Sequence, residues 1–199
     1  QGLRSMKKTD FKDLVIFEND DYIIINKPPY VSTLADRHEA QNILHLARQE
    51  YPAVQVCHRL DKETSGCLVL SKHPEAYRHV AIQFEDREVD KVYHAVVDGI
   101  HDFDNTLVDR NIIATSKGIA RVNVKGKPAA TYFTTLRTYF AHSLIECKPI
   151  TGRLHQIRVH LAYLQAPICG DELYGGKPLY LSKLKKRFNL RKDTEETPI

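Results

Sequence analysis

The sequence predicts an α+β protein, because short apolar strands alternate with only three clear helices. Two β-branched runs, residues 14–17 and 22–25, are typical of strands. Apolar residues recur at helical spacing within residues 40–51, 74–84 and 154–164. Apolar residues make up 42% of the chain and charged residues 27%, which is typical of a globular protein rather than a disordered one. No run of 18 apolar residues occurs, so no membrane span is predicted.

The first part of the chain is predicted to begin with an antiparallel strand pair. Polar residues 18–21 separate the two β-branched runs and predict a tight turn between them. Pro28 must end the second strand, because proline cannot donate a hydrogen bond to a sheet. The helix predicted within residues 40–51 ends before Pro52.

A second strand and helix follow in residues 67–84. Residues 67–71 form an apolar run typical of a buried strand, and Pro74 suits the first turn of a helix. The predicted buried stripe of that helix consists of Tyr77, Val80, Ala81 and Phe84.

The second part of the chain is predicted to be mostly strands, followed by a helix. Residues 91–99 predict a long strand in which Tyr93, Ala95 and Val97 share one face. Further strands are predicted at residues 111–114, 120–124, 131–137 and 143–148. In the last helix, the predicted apolar stripe consists of Leu154, Ile157, Leu161 and Leu164. Arg158 lies about 40° from Leu154 at the edge of this stripe, so it should point inward and need a carboxylate partner.

Charge is distributed unevenly along the chain. Residues 1–109 hold 13 basic and 19 acidic residues, whereas residues 110–165 hold nine basic residues and one acid. Residues 183–192 add six basic residues and no acid. This segregation favours a face that meets a polyanion such as nucleic acid. A solvated basic surface is the alternative interpretation.

Cysteine and histidine spacing predicts neither disulfides nor a metal site. The four cysteines, Cys57, Cys67, Cys147 and Cys169, form no Cys-x-x-Cys pair and indicate a reduced, cytoplasmic protein. His155 and His160 are five residues apart, which places them on different sides of a helix.

A polar loop precedes the apolar run at residues 67–70. Residues 58–66 read His-Arg-Leu-Asp-Lys-Glu-Thr-Ser-Gly, and in them Asp61 lies between the cation of Arg59 and a predicted turn at residues 64–66. A polar loop that leads into a buried strand can place reactive side chains at the rim of a rigid sheet. Taken alone, the same segment is compatible with a surface turn that carries a solvated aspartate.

Several segments together resemble the RluA-type pseudouridine synthase family of RNA pseudouridylate synthases. Residues 58–66 match its His-Arg-Leu-Asp-x-x-Thr-Ser-Gly motif, and residues 91–99 match Lys-x-Tyr-x-Ala-x-Val-x-Gly. Residues 151–160 match Thr-Gly-Arg-x-His-Gln-Ile-Arg-x-His, and residues 170–176 complete the resemblance. The motifs occur in the family's order and are bracketed by residues 14–176.

The sequence departs from the family at three places. Tyr30 stands where a glycine usually follows the Asn-Lys-Pro segment, and Leu154 stands where threonine or serine is common. The family's Leu-His-Ala segment after Tyr174 is not found.

The resemblance implies the pseudouridine synthase fold, which is a mostly antiparallel mixed sheet with flanking helices and a central active-site cleft. It divides the chain into an N-terminal extension or expression remnant at residues 1–13 and a catalytic domain at residues 14–182, without an S4 domain. Residues 183–199 are expected to be a basic and then acidic tail that lacks the family's closing segment.

The resemblance also implies an isomerase that converts specific uridines of ribosomal or transfer RNA to pseudouridine. In this reaction the base is flipped out, its glycosidic bond is cleaved, and the base is rejoined through C5. Asp61 is the expected catalytic residue, acting at either C6 or C1′ of the nucleotide. Tyr93 would stack on the flipped uracil and could serve in the final C5 deprotonation, while Arg158 would pair with Asp61. The chemistry requires no metal, redox cofactor or ATP.

Four further residues are expected to contact RNA: Arg59, Arg153, His58 and Lys27. Arg59 would fill the space left by the flipped base, because a planar guanidinium both stacks and pairs with phosphate. An ordinary ion pair of Arg59 with Glu63 or Asp61 is the alternative. The protein is expected to act as a monomer in the cytoplasm.

Two other classes of function remain open from the sequence. A catalytically silent RNA-binding protein could use the same fold and basic face. A carboxylate-dependent glycoside hydrolase would need two paired carboxylates, but the matched segments supply only Asp61 as a catalytic candidate.

Overall fold

The computed structural model describes residues 10–35, 41–185, 187–189 and 195–199. It confirms the α+β class, because antiparallel strands dominate and the helices are few and short. The predicted N-terminal extension and C-terminal tail lie partly outside the described residues. The chain divides into two compact units, Gln1–Val89 and Asp90–Ile199, and each is described by itself. Within the described ranges, every helix is too short or too polar to cross a membrane.

The first unit contains one four-stranded antiparallel sheet with short helices. Its helices are α1 (Phe11–Leu14), α2 (Ile43–Arg48) and α3 (Pro74–Glu85). Its strands are β1 (Val15–Glu18), β2 (Tyr22–Lys27), β3 (Gln55–Val56) and β4 (Gly66–Ser71), in the spatial order β1-β2-β4-β3. The two central strands bury Ile23, Ile25, Leu68 and Leu70 completely. Burial of these four side chains makes β2 and β4 a rigid base for the loops that leave them.

The predicted strand pair at the start of the chain is confirmed. The side chain of Asn19 closes the turn, since its Oδ1 accepts hydrogen bonds from the backbone N–H groups of Asp21 at 2.9 Å and Tyr22 at 2.7 Å. Strand β2 ends at Lys27, directly before Pro28, as proline requires.

Both predicted helices of the first unit form, with two corrections. Helix α2 is shorter than residues 40–51, because the side chain of Asn42 caps it by accepting a hydrogen bond from the His45 N–H at 2.9 Å. Helix α3 begins at Pro74 as predicted, but Ala76 is buried while Tyr77 is 37% exposed. Val80, Ala81 and Phe84 of the predicted stripe are half-buried, so the stripe differs from the prediction only in that Ala76 takes the place of Tyr77.

The second unit contains a four-stranded antiparallel sheet, a two-stranded hairpin and a helix. The sheet consists of β5 (Tyr93–Asp98), β6 (Thr106–Asp109), β9 (Ala130–Thr138) and β10 (His142–Pro149), in the order β5-β10-β9-β6. The hairpin consists of β7 (Ile112–Ala114) and β8 (Ala120–Val122). The helices are α4 (Gln156–Tyr163), a 3₁₀ turn at Glu172–Tyr174, and α5 (Leu181–Leu184). Strand β6 was not predicted, because only four residues of a polar stretch form it.

Side-chain alternation in β5 agrees with the prediction. Ala95 and Val97 are buried in the core of the unit, and Tyr93 packs against that core while remaining half-buried. On the opposite face, His94 and Val96 are exposed.

Helix α4 begins later than predicted. His155 has a left-handed backbone conformation with φ at 52°, so helical geometry starts only at Gln156. Leu154 lies before the helix and is 39% exposed, which corrects its predicted place in the apolar stripe. The other three stripe residues, Ile157, Leu161 and Leu164, do pack on the core of the unit.

Candidate active site

The loop between β3 and β4 carries Asp61, and its first residues are fastened to β4. The backbone N–H of Cys57 donates to the Val69 carbonyl at 2.9 Å, and the Val69 N–H donates to Nε2 of His58 at 3.0 Å. The ring of His58 also stacks on Phe84 of α3, with 4.9 Å between the ring centroids. His58 thus braces the loop against β4 and α3, and its predicted contact with RNA stays a prediction.

The residue before Asp61 is held by a buried threonine. The Leu60 N–H donates to Oγ1 of Thr33 at 3.3 Å, and the Thr33 hydroxyl donates to the Leu60 carbonyl at 2.9 Å. Thr33 is only 3% exposed, so water does not compete for these two bonds. One side chain therefore satisfies both backbone groups of Leu60.

The residue after Asp61 is held by a buried lysine. The ammonium of Lys27 donates to three backbone carbonyls, those of Pro28 at 3.0 Å, Val31 at 2.8 Å and Lys62 at 3.1 Å. Lys27 is completely buried, so its ammonium is not accessible to an RNA phosphate, and the prediction that it binds RNA is corrected. Burial lowers the pKa of Lys27 to about 8, although the nearby carboxylates of Glu63 and Asp61 oppose this shift.

Tyr30 supplies a second bond to the same carbonyl. Its N–H donates to the Lys62 carbonyl at 2.7 Å, and its backbone is left-handed with φ at 64°. Glycine adopts this conformation without steric cost, which explains why the resembling family usually has glycine here. The side chain of Tyr30 is 69% exposed.

Asp61 is half-buried. Its two neighbours in the chain, Leu60 and Lys62, are both held by hydrogen bonds. A turn follows it directly, in which the Thr64 N–H donates to the Asp61 carbonyl at 3.1 Å. Arg59, on the other side of Leu60, is exposed and makes no ion pair with any residue that the structure describes. The alternative of an ion pair between Arg59 and Glu63 or Asp61 is therefore not observed.

Arg158 has a carboxylate partner in the second unit, as its position on α4 predicted. Its Nε donates to Oδ2 of Asp171 at 2.8 Å and its Nη2 donates to Oδ1 at 2.9 Å. The guanidinium also lies 4.8 Å from the ring centroid of Tyr174. The pairing of Arg158 with Asp61 concerns residues of two different units and stays a prediction.

The segment that carries Asp171 is tightly packed. The Asp171 N–H donates to the Ile168 carbonyl at 3.0 Å, and the Gly176 N–H donates to the Asp171 carbonyl at 2.8 Å. A Cβ atom at Gly176 would collide with the Ile168 carbonyl, so only glycine fits there. Asp171 thus presents its carboxylate to Arg158 from a fixed backbone.

Polar residues of the segment 151–160 stabilise the start of α4. The buried amide of Gln156 donates to the Ala130 carbonyl at 3.0 Å and accepts from the Thr151 hydroxyl at 2.6 Å. The ring of His160 lies between the Thr131 hydroxyl, at 2.9 Å, and the Arg110 carbonyl, at 2.9 Å. Burial lowers the pKa of His160, which favours the neutral ring.

Arg153 lies beside a groove on the second unit. Its Nε donates to the Pro128 carbonyl at 2.9 Å. The groove has a volume of about 400 Å³, and Lys125, Lys127 and Leu154 also line it. Three cations around one groove agree with the predicted basic face.

Comparison with known proteins decides the family. Residues 21–163 match the family model described as RNA pseudouridylate synthase. The chain belongs to the RNA pseudouridylate synthase family. It is 33% identical over 175 residues to the ribosomal large subunit pseudouridine synthase C of Vibrio cholerae, covering 86% of this chain and 56% of that protein. It is 37% identical over 174 residues to the ribosomal large subunit pseudouridine synthase D of Neisseria meningitidis, covering 81% of this chain and 46% of that protein.

The chain therefore spans about half the length of the curated relatives that it matches. Solved structures support the fold. Human RNA Pseudouridylate Synthase Domain Containing 1 has a TM-score of 0.72 at 26% identity, covering 85% of this chain and 73% of that chain. Human RNA Pseudouridylate Synthase Domain Containing 4 has a TM-score of 0.68 at 28% identity, covering 82% of this chain and 70% of that chain.

Within this RNA pseudouridylate synthase domain, the first unit holds Asp61, Arg59, His58 and Lys27, and the second holds Tyr93, Arg153 and Arg158. The supporting roles of three residues were not predicted from the sequence. Thr33 holds the backbone of Leu60, and Asp171 holds the side chain of Arg158; in both pairs the two residues are distant in the sequence. Lys27 was predicted to bind RNA and not to support the loop. Asp171 alone carried a signal, because it lies in the matched segment 170–176.

Proposed function

We propose that this protein converts uridines in RNA to pseudouridine, with Asp61 as the catalytic carboxylate. The observation that supports this most strongly is the anchoring of both peptide neighbours of Asp61. Thr33 holds Leu60, while Lys27 and Tyr30 hold the Lys62 carbonyl. A surface turn with a solvated aspartate has no need of a buried ammonium and a buried hydroxyl beneath it. A catalytic group does, since small displacements cost large factors in rate.

The reaction breaks the N1–C1′ bond of uridine and forms a C5–C1′ bond, and the C5 proton leaves while N1 gains one. No oxidation occurs and no group is added. Asp61 either attacks the nucleotide covalently at C6 or C1′ or stabilises a glycosyl cation. In either case the Asp61 carboxylate must be ionised, and its position must be fixed before the substrate binds. The fastened loop meets the second requirement.

The accessible cations of the protein are proposed to bind the RNA. A uridine stacked in a helix must flip out to reach a carboxylate in the protein. The exposed guanidinium of Arg59, two residues before Asp61, is suited to fill the vacated space. Arg153 and the other cations of its groove would contact phosphates, and Tyr93 would stack on the uracil. Ribosomal RNA is the proposed substrate, since the named relatives act on the large ribosomal subunit.

Arg158 is proposed to act together with Asp61. Its two-pronged pair with Asp171 fixes the plane of the guanidinium, which a lysine could not reproduce. Loss of both Arg158 and Asp61 should cost little more activity than loss of Asp61 alone, because residues that act as one unit are not additive. Fully multiplicative losses in single-turnover kinetics would separate the two roles.

The proposed activity is tested by tritium release from RNA labelled at C5 of uridine. The Asp61→Asn variant should lose turnover while its melting temperature stays within a few degrees, because the change is nearly isosteric. Glu63→Gln is the matched control, since it removes an exposed carboxylate from the same loop. Residual turnover of Asp61→Asn within about tenfold of the wild type would overturn the assignment.

A catalytically silent RNA-binding protein is the second candidate, and the basic groove beside Arg153 favours it. RNA affinity should fall steeply with salt in either case, because lysines and arginines release counterions from phosphates. Salt-dependent binding without tritium release from any ribosomal RNA fragment would favour this candidate. The four free cysteines support a reducing, cytoplasmic location for the protein under either candidate function.

A further inference from the structure

Three side chains of the second unit, distant in sequence, converge at one end of its sheet. Asp98 ends β5 and His142 begins β10, and the two residues are direct neighbours across these antiparallel strands. The segment after α4 runs alongside β5, because the Cys169 N–H donates to the Val96 carbonyl at 2.9 Å. The three possible ligand atoms, one each from Asp98, His142 and Cys169, all lie within 4.8 Å of one another.

Asp98 is the hydrogen-bonding centre of the cluster. Oδ2 of Asp98 accepts from the Lys177 N–H at 2.7 Å, while Oδ1 lies 3.6 Å from Nε2 of His142, which is too far for a good hydrogen bond. The Cys169 thiol lies 3.8 Å from the Lys177 carbonyl, a weak contact. The side chains of Asp98 and His142 are only 17% and 19% exposed. The Cys169 thiol also hydrogen-bonds to the Asp98 carboxylate, and burial together with this carboxylate raises the pKa of the thiol. A carboxylate, an imidazole and a thiol thus face one another in a half-buried place, and a cation would replace the thiol proton between them.

We propose that Asp98, His142 and Cys169 bind a divalent cation of the zinc type. One thiolate, one imidazole and one carboxylate match the ligands that Zn²⁺ takes, and three protein ligands leave a fourth position for water. Ligand atoms around tetrahedral zinc lie about 3.5 Å apart. Small side-chain rotations from the present separations therefore close the site. On binding, the Cys169 thiol loses its proton to the solvent, and the cation replaces it as the partner of the sulfur.

The site has a structural consequence for the chain. A bound cation would tie the ends of β5 and β10 to residues 166–170, which lead directly into Asp171. Asp171 holds the guanidinium of Arg158. The cation would thereby steady the support of Arg158. This consequence rests on the proposed function, whereas the metal site itself does not.

Titration of the reduced full chain with Co²⁺ tests the proposal independently of activity. Cobalt bound to a cysteine sulfur gives a thiolate charge-transfer absorption, and Zn²⁺ should abolish it by competition. We expect one equivalent per chain. Cys169→Ser should remove the absorption, and His142→Gln and Asp98→Asn should each weaken cobalt binding about tenfold or more. Cys67→Ser is the matched control, because Cys67 is exposed and lies in the other unit.

A second measurement needs no variant. Zn²⁺ should slow alkylation of Cys169 in the unchanged chain, read by mass spectrometry of the labelled peptide, while labelling of Cys67 continues at the same rate. Absence of the cobalt absorption would overturn the proposal. So would an absorption that survives Cys169→Ser, or alkylation of Cys169 that Zn²⁺ does not slow.

Discussion

Replacing Lys27 by methionine should lower the catalytic rate about 100-fold, whether its effect on stability is smaller or comparable. Lys27→Met keeps a long apolar side chain in the buried space but removes all three N–H donors from the backbone carbonyls. The carbonyl of Lys62 keeps its bond from the Tyr30 N–H at 2.7 Å. The carbonyls of Pro28 and Val31 lose the ammonium that binds them. The loop that carries Asp61 is then fastened less firmly on the side of Lys62.

The cost in stability follows from two opposing terms. A buried carbonyl left without a partner costs about 1–3 kcal/mol, so two of them cost roughly 2–6 kcal/mol. Burial of the ammonium lowers the pKa of Lys27 to about 8. A shift of that size corresponds to roughly 3 kcal/mol against the charged form, and methionine relieves it. The net change in the free energy of unfolding should therefore lie between a gain of about 1 kcal/mol and a loss of about 3 kcal/mol.

The catalytic rate should fall as well, because a displacement of about 1 Å at a catalytic group can cost about 100-fold. We expect kcat to fall about 100-fold with little change in KM, measured by tritium release and compared with thermal unfolding. Lys12→Met, which removes a side chain that is 72% exposed in the same unit, is the control. A kcat within about threefold of the wild type, with a lowered melting temperature, would show that Lys27 serves the fold alone.

The pH dependence of the wild type provides an independent test of the same lysine. Because the pKa of Lys27 in the folded chain is depressed to about 8, the folded chain releases this proton before the unfolded chain does. The contribution of Lys27 to the free energy of unfolding therefore rises between pH about 8 and about 10. Activity should fall with a midpoint near pH 8, the pKa of Lys27 in the folded chain, because a neutral amine has two N–H donors for three carbonyls. Lys27→Met should lack this step, and an identical decline in the variant would assign it to another group.

The remaining predictions concern other supports of the site. Thr33→Val should lower the free energy of unfolding by about 2–6 kcal/mol and also lower kcat, because both backbone groups of Leu60 lose their partner. Thr33→Ser should retain most of both, and equal effects of valine and serine would contradict this. Tyr30→Gly should leave the protein as stable or up to about 1 kcal/mol more stable in denaturant unfolding, since the left-handed conformation costs a tyrosine more than a glycine; a loss above about 2 kcal/mol would refute the reasoning. Asp171→Asn should lower kcat while RNA affinity stays within about threefold, because Arg158 loses its charged partner, and rescue by Asp171→Glu would argue against the fixed geometry.

The sequence by itself determined the features that depend on local pattern. Periods of two and of 3.6 residues predicted the strands and helices of an α+β protein, and proline placed the end of β2 and the start of α3. The same periodicity identified Arg158 as an inward-pointing cation that needs a carboxylate, and Asp171 confirms that need. The motif at residues 58–66 marked Asp61. In each case neighbours along the chain supply the information.

Only the tertiary structure decided which distant groups meet. Lys27 is the last residue of β2 and resembles a surface cation in the sequence, yet its ammonium is buried and binds the loop that carries Asp61. The cluster of Asp98, His142 and Cys169 has no signal in sequence spacing, because strand register and the path of the chain after α4 bring it together. The helical periodicity wrongly placed Leu154 in the apolar stripe of α4. The left-handed backbone of His155 prevents the helix from beginning before Gln156. Hydrogen bonds and ion pairs between distant residues depend on the folded backbone path, and local periodicity does not encode that path.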